Sequence, residues 1–315
     1  MTLFTSPGRS ATLADVLHAA ELRGDVHAKD DPGTLLDAAA AESASEDWRI
    51  EKNLIAGEEL DAWLALRHIT HEDFLRHFSG AVPVTDAQRL ACWWIDDSIT
   101  RWATRHAQGI AALAAQTEPP SEDALQQWHA ALESRLGGED ALNDWLRAHS
   151  RDAAWLADLA QVETAHENCR AALLRPDSLE KELRGQYFPL HRVTLTICKV
   201  PEESVARELM LQLAADASAT LAQRAEGLGF PHFPQQFFIG DLSPAYQQPF
   251  LSARAGECLA PMQASDHWRI CQLVEKTPPS LDDPEVLARV QKRVVEQGFA
   301  EKCEGVIAWA VSDAA

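Results

Sequence analysis

The chain has 315 residues, of which 46% are hydrophobic and 24% are charged, and its formal net charge is −20. This composition is typical of a globular protein long enough for two domains, and it excludes an intrinsically disordered chain. A net charge of this sign repels phosphate backbones and anionic lipids. It therefore argues against nucleic-acid binding and against docking on a membrane surface.

Targeting segments and metal motifs are also missing from the sequence. No basic stretch followed by an apolar one opens it, and no run reaches the roughly 18 apolar residues of a membrane span. The six cysteines are scattered without CxxC spacing, and the twelve histidines show no paired ligand spacing. We therefore expect a cytoplasmic protein with reduced, mostly buried thiols, and we expect no metal and no cofactor.

Helical periodicity dominates the chain up to residue 185. The segment 12–24 has an apolar stripe that Gly24 ends. Thr70 is a candidate N-cap, and Thr85 with Gln88 has the spacing of a capping box. The other predicted helices cover 57–68, 85–107, 121–138, 139–150, 151–174 and 178–188. Segments 57–78 and 138–159 share a Gly-Glu, a Trp-Leu pair and an aromatic-Leu pair, which suggests two related helical units.

The pattern changes after residue 186. The first predicted elements there are a strand at 191–200, one or two helices within 202–229 and a Pro- and Phe-rich loop at 230–244. A short helix and turn within 245–257 and a hairpin of 258–263 with 267–276 follow. The last elements are a helix at 281–304, which has Pro284 in its first turn, and a closing strand at 305–311. We therefore predict an α+β fold. Its parts are a helical region 1–185, a smaller domain 186–279, and a C-terminal helix and strand, 280–315, that pack back.

Four short stretches, in this order, resemble the parvulin-type (PpiC/SurA-like) peptidyl-prolyl isomerases. RVTLTIC (192–198) resembles the first strand of that family, and IGDLS (239–243) resembles its GGDLG motif. PFLSARAGECLAPM (249–262) resembles its A-x-F-x-L-x-x-GE-x-S-x-PV motif, and HWRICQLVEK (267–276) resembles its last strand, GYHIIKLLEK. The resemblance implies a parvulin-like domain over residues 188–276. From the alternating pattern and this order we predict that the strand at 192–198 lies in one sheet with 268–273.

The flanking helices resemble two groups of parvulin relatives. In foldase chaperones, a helical N-terminal region and a C-terminal helix form a module that holds peptides. The Trp-Leu and Phe-Leu units also resemble parvulin-related proteins of ribosomal peptide maturation (RiPP) clusters. The resemblance thus implies a precursor peptide, or an unfolded peptide segment, as the partner, and further peptide-modifying enzymes as additional partners.

The two histidines of active parvulins are replaced in this sequence. Arg269 stands where the last strand of the family has a histidine, and Leu195 or Thr196, depending on register, stands at the position in the first strand. We therefore assign no catalytic residue. Prolyl isomerisation nevertheless needs no nucleophile, only a pocket that lowers a barrier of ~20 kcal/mol, so an active isomerase is an alternative hypothesis.

The candidate peptide-binding residues are an arginine, four phenylalanines and an aspartate. By period two, Arg269 shares a face of its predicted strand with Cys271 and Leu273, so its side chain must face water, a partner or a ligand. The phenylalanines are more numerous than a solvated loop requires. The full set is Arg269, Phe230, Phe233, Phe237, Phe238 and Asp241. The leading hypothesis is a non-catalytic, chaperone-like peptide binder, and a scaffold that binds partner modification enzymes is a second alternative.

Overall fold

The computed structural model describes residues 1–26, 37–216, 219–264 and 266–310, apart from the side chains of Ala38 and Ala245. Helices and two small antiparallel sheets make up the described part, which confirms the predicted α+β class. The strands are β1 Thr2–Ser6, β2 Arg9–Thr12, β3 Arg192–Val200, β4 His232–Phe238, β5 Met262–Gln263, β6 Trp268–Thr277 and β7 Ala308–Trp309. The helices are α1 Leu13–Arg23, α2 Ala38–Glu51, α3 Gly57–Arg67, α4 His71–Phe78, α5 Asp86–Ile95, α6 Ser98–Ala114, α7 Glu122–Leu136, α8 Glu139–Ala148, α9 Ala153–Leu173, α10 Pro176–Gly185, α11 Glu203–Ala215, α12 Leu221–Leu228, α13 Pro244–Ser252 and α14 Pro284–Cys303.

The chain divides into two compact units. The first unit is Met1–Ala171 together with the segment that starts at Gly298, and the second is Ala172–Gln297. The domain boundaries predicted from the sequence, 185/186 and 279/280, both fall inside the second unit. The reason is a cluster in which Leu179 of α10 and Val286 of α14 pack with Phe238 of the sheet. Apolar burial thus joins these two helices to the second unit.

The first unit contains a three-stranded sheet in the order β2-β1-β7 and helices α1 to α9. The hairpin of β1 and β2 was not predicted, although Pro7 and Gly8 mark its turn between two short runs rich in Ser and Thr. Phe4 of β1 is fully buried in the main core of the unit. The sheet therefore contributes directly to the core instead of lying on its surface.

Local capping signals in the first unit behave as predicted. Thr70 accepts a hydrogen bond from the N–H of Asp73, and Thr85 forms a capping box with Gln88. The segment 85–107, predicted as one helix, is in fact two helices, α5 and α6. The break falls at Asp97, whose positive φ of 59° lies in the left-handed region.

The sheet of the second unit has the order β4-β3-β6-β5, and all of its pairs are antiparallel. Because Leu195 pairs with Leu273 and Ile197 with Cys271, the predicted pairing of the first and last strands of this domain is confirmed. β5 pairs with β6, as the predicted hairpin requires. The turn residue 265 lies outside the described residues.

Alternation in the strands separates the two faces of this sheet. Helices α11 and α12 cover one face, where Cys198 and Ile270 pack with Leu209 and Leu221. On the other face, Leu195 and the other odd-numbered apolar residues of β3 and β6 pack with α13 and the segments around it. A strand that buries both faces has apolar residues at consecutive positions, as seen here at Ile197 and Cys198.

The C-terminal segment is part of the fold. Pro284 opens α14, as predicted, and residues of the helix are buried in both units, Val290 in the second and Phe299 in the first. β7 pairs with β1, and the N–H of Ala310 donates a hydrogen bond to the carbonyl of Leu3. The predicted closing strand is thus present, but it is only two residues long. Position 311, the last of the prediction, lies outside the described residues.

Candidate functional site

A cleft of about 640 Å³ opens on the face of the second sheet that α11 and α12 leave uncovered. Strands β3, β4 and β6 form its floor, and α13 and the β5 region form its sides. The lining residues are Leu195, Ile197, Gln235, Phe237, Asp241, Leu242, Tyr246, Phe250, Met262, Gln263, Ala264, Arg269 and Cys271. This size and this mixture of apolar walls with a few polar groups are typical of ligand sites.

The floor of the cleft is apolar. Leu195 is fully buried, and the ring of Phe237 packs edge-on against Phe250 with 5.5 Å between the ring centroids. Cys271 also lies on this face, and burial raises the pKa of its thiol to about 12. Because the nucleophilic form of cysteine is the thiolate, Cys271 is a packing residue and not a nucleophile.

Arg269 lies at the rim of this cleft. It is exposed and stands opposite Lys199 of β3 and Met262 of β5. Its Nε–H donates a hydrogen bond of 3.0 Å to Nε2 of His267. The structure thus explains an arginine in an apolar strand, because its side chain projects from the floor of the cleft into a solvated position.

Asp241 lies at the other side of the cleft and is held by α14. Its carboxylate accepts two hydrogen bonds from Arg289, at 2.7 and 2.9 Å. The preceding Gly240 approaches Pro189 so closely that a Cβ on it would lie 3.0 Å from the Cβ of Pro189. The N–H of Gly240 also donates to the carbonyl of Pro189, at 2.8 Å. The GDL stretch therefore positions the cleft wall through a close backbone contact, which a side chain at residue 240 would crowd.

The Phe-rich segment is not a loop, so that prediction is wrong. Residues 232–238 form β4, an edge strand that pairs with β3 along its whole length. Pairing with β3 satisfies the backbone groups on one side of this strand. Pro234, which lacks an N–H, is tolerated because β4 is at the edge of the sheet. Alternation then places the rings of neighbouring phenylalanines on different faces.

This strand separates the four predicted phenylalanines. Phe237 lines the cleft, and Phe233, paired with Ile197, lies on the same face of the sheet but outside the lining. Phe238 is buried with α10 and α14, and Phe230 packs on the face covered by α11 and α12. Phe238 is therefore a core residue, and Phe230 is partly buried on the opposite face, so neither lines the cleft. The candidate site keeps Arg269, Phe237 and Asp241.

The pairing of strands also decides between the two register alternatives. Leu195 lines the cleft, on the same face as Arg269 and Cys271. Thr196 pairs with Gln272, whose side chain accepts a hydrogen bond from the N–H of Leu221 on the opposite face. The cleft therefore has a leucine and an arginine at the two positions where the resemblance implies histidines.

The sequence analysis did not identify the other walls of the cleft. Tyr246 and Phe250 come from α13, and Met262 and Gln263 from β5. The available signal was the YQQPF segment, where two aromatic side chains four residues apart share one side of a short helix. Over the described ranges, no cluster of His, Cys, Asp or Glu could hold a metal, and no helix is long and apolar enough to cross a membrane.

The fold and the cleft together define the structural class of the protein. The protein is an α+β protein in which a four-stranded antiparallel sheet carries helices on one face and an apolar cleft with a charged rim on the other. Among the ionisable groups that line the cleft, the Asp241 carboxylate is held by Arg289, and the Cys271 thiol, whose pKa burial raises to about 12, is protonated.

No protein-family model and no curated protein matches the chain. Among solved structures, the chain is similar to the peptidylprolyl isomerase PrsA of Bacillus cereus, with 12% identity, a TM-score of 0.38, and 69% of this chain and 87% of that chain covered. For PrsA of Bacillus anthracis the values are 16% identity, a TM-score of 0.29, and 63% and 91% coverage. For a structure from a study of the SurA-like chaperones PEB4 and Cj1289 of Campylobacter jejuni, the identity is 8% and the TM-score is 0.24, with 69% of this chain and 89% of that chain covered.

Proposed function

We propose that the chain is a non-catalytic, chaperone-like protein that binds an extended peptide in the cleft of a degenerate parvulin-like domain. In this proposal the peptide is a ribosomally made precursor that other enzymes modify in the cytoplasm. The observation that carries the proposal is the cleft itself, which combines an apolar floor at Leu195 and Phe237 with a cation at its rim, Arg269. Such a surface suits the apolar side chains and the polar groups of an extended chain.

Two further observations support this proposal. The four parvulin-like stretches lie in the domain that forms the cleft, and the GDL stretch forms one of its walls. The two positions that would carry the histidines of the family are Leu195, which is fully buried, and Arg269. A leucine cannot donate or accept a hydrogen bond, so Leu195 cannot take part in a network like that of the paired histidines.

Calorimetry on a peptide library tests the proposal directly. We expect a proline- and aromatic-containing peptide selected on an array to bind the wild type, and Phe237→Ala to weaken that binding by about tenfold, since a buried aromatic contact of ~1.4 kcal/mol is lost. Phe188→Ala is the matched control, because Phe188 is an exposed phenylalanine of the same unit that lies outside the lining. An equal loss of peptide affinity in both variants would show that the peptide does not bind in the cleft.

The alternative of an active isomerase is tested in the same samples. Exchange spectroscopy by NMR on a proline tetrapeptide reports whether the protein accelerates cis–trans exchange. We expect no acceleration above the uncatalysed rate, because the cleft supplies no polar pair at Leu195 and Arg269. Efficient acceleration would establish the isomerase alternative. If the protein pulled down partner enzymes but bound no peptide, the alternative of a scaffold for modification enzymes would be favoured.

A further inference from the structure

A histidine, His267, directly precedes β6 and contacts the arginine at the rim of the cleft. Arg269 and Cys271 alternate along β6 and line the cleft, and His267 lies two residues before Arg269. His267 is mostly buried, with 19% of its side chain exposed, and Arg269 is exposed. A partly buried imidazole thus lies beside the charged group at the rim.

The hydrogen bonds determine the tautomer of this imidazole. A guanidinium can only donate, so Nε2 of His267 is the acceptor of the 3.0 Å hydrogen bond from Nε of Arg269. The proton of the neutral ring is therefore on Nδ1, from which it is donated to Oδ1 of Asp266 at 2.6 Å. Asp266, His267 and Arg269 form a chain in which each group orients the next.

This chain uses one of the donor groups of the guanidinium and leaves the others available. The Nη groups of Arg269 form no hydrogen bond or ion pair with any residue that the structure describes. The histidine fixes the side chain without neutralising it. Pre-orientation of a guanidinium in this way reduces the entropy lost when its two terminal groups bind a planar anion.

A second cation lies directly across the sheet. Lys199 of β3 pairs with Arg269, and its Nζ lies 5.4 Å from the ring centroid of Phe233. Like charges directly opposite each other destabilise a pair of strands. Within the described ranges, no carboxylate lies at ion-pair distance from either cation. Two cations without a carboxylate at ion-pair distance, side by side at the rim of an apolar cleft, form a local positive surface in a chain of net charge −20, and an anionic group of a ligand would complement it.

We propose that Arg269 and Lys199 form a carboxylate-binding subsite at the rim of the cleft, with His267 as the residue that positions Arg269. The ligand class is a peptide in which an acidic side chain is adjacent to the apolar residue that occupies the cleft. A planar carboxylate matches the fork of two Nη groups. This inference rests on the proposed function and specifies which peptides it selects.

The experiment compares two capped, fluorescently labelled peptides that differ only in Glu against Gln beside a central Leu. Fluorescence anisotropy measures the affinity of each. We expect the wild type to bind the Glu peptide about fivefold to tenfold more tightly, which is the range of a partly solvated charge-assisted hydrogen bond. Arg269→Gln abolishes this preference. Lys181→Gln, which removes an exposed cation of α10 in the same unit, retains it.

Two substitutions of His267 separate positioning from folding. His267→Gln keeps an acceptor near the place of Nε2 and retains most of the preference, whereas His267→Leu loses most of it. Equal binding of the Glu and Gln peptides by the wild type would overturn the subsite and leave the proposed function intact. Binding of neither peptide, nor of any peptide from the array, would overturn both.

The tautomer of His267 gives a readout that needs no ligand. In long-range proton–nitrogen correlation spectra of histidine-labelled wild type at about pH 8, where an ordinary imidazole is neutral, we expect the Nδ1–H pattern for one ring. That signal is assigned by its absence in His267→Gln. An Nε2–H pattern for His267 would contradict the chain of hydrogen bonds and the positioning role.

Discussion

Arg289 of α14 donates two hydrogen bonds to the carboxylate of Asp241, so a helix that lies far along the chain holds a wall of the cleft. The guanidinium carbon also lies 4.1 Å from the ring centroid of Phe238. Arg289 therefore connects the GDL stretch, the edge strand β4 and α14. Asp241, predicted as a peptide contact, has this second role inside the protein.

Replacement of Arg289 tests this connection. Both side chains of the pair are nearly half exposed, so we expect Arg289→Met to lower the free energy of unfolding by only about 1 kcal/mol, as measured in urea. Lys292→Met, on the same helix and with a looser contact of 3.8 Å to Glu296, is the control. A loss as large in the control would show that the bidentate geometry contributes nothing specific.

The buried Gln272 should be more sensitive. Its Oε1 accepts a hydrogen bond of 2.8 Å from the N–H of Leu221, and its Nε2 donates one of 3.0 Å to the carbonyl of Gly256. Gln272→Leu leaves both backbone groups without these partners, so we expect a loss of about 2–3 kcal/mol in chemical denaturation. Gln236→Leu, which removes an exposed bond to Thr194, should cost less than about 0.5 kcal/mol.

The buried His106 predicts a pH dependence of stability. Its pKa is lowered to about 4, chiefly because burial disfavours the charged ring and also because of the charge of Arg23, while the carboxylates of Glu163, Asp15 and Asp158 oppose this shift. Between its ordinary value of 6.5 and about 4, the unfolded chain binds a proton that the folded chain does not. Stability is therefore complete above that window and is lost as the pH falls through it.

The loss amounts to at most about 3 kcal/mol for this one group. Urea unfolding at several pH values gives the free energy of unfolding as a function of pH. Between pH 6.5 and about 4 this free energy should fall less steeply for His106→Phe than for the wild type, because the variant has no imidazole to protonate. His129→Gln, a substitution in a partly exposed position of α7, should leave the slope unchanged. If the free energy of unfolding depended on pH equally in the wild type and in His106→Phe, groups other than His106 would cause the acid sensitivity.

The C-terminal segment predicts the behaviour of a truncated chain. Val286 and Val290 are buried in the second unit, and Phe299 is buried in the first, where its ring stacks on His166 at 4.7 Å. Deletion of residues 280–315 exposes the apolar surfaces that these side chains cover, at about 1.5–3 kcal/mol for each. We expect an aggregating or molten product in thermal melts and light scattering. A soluble 1–279 fragment with a cooperative transition would contradict this prediction.

Several features follow from the sequence alone because their causes are local. The N-cap of Thr70 and the capping box of Thr85 depend on residues within one helical turn. The alternation of Arg269 with its neighbours likewise assigned it to the same face as Cys271, which the sheet confirms. The order of the parvulin-like stretches was sufficient to predict that 192–198 pairs with 268–273.

Only the tertiary structure decided the rest of the site. The segment 230–244 has prolines and no clear alternation, so local propensity predicts a loop, but pairing with β3 turns part of it into a strand. That pairing, and no property of the segment itself, sends Phe237 into the cleft and Phe238 into the core. The partner of Asp241 was equally invisible in the sequence. Arg289 is 48 residues away from Asp241, and the tautomer of His267 follows only from hydrogen bonds formed once the chain has folded.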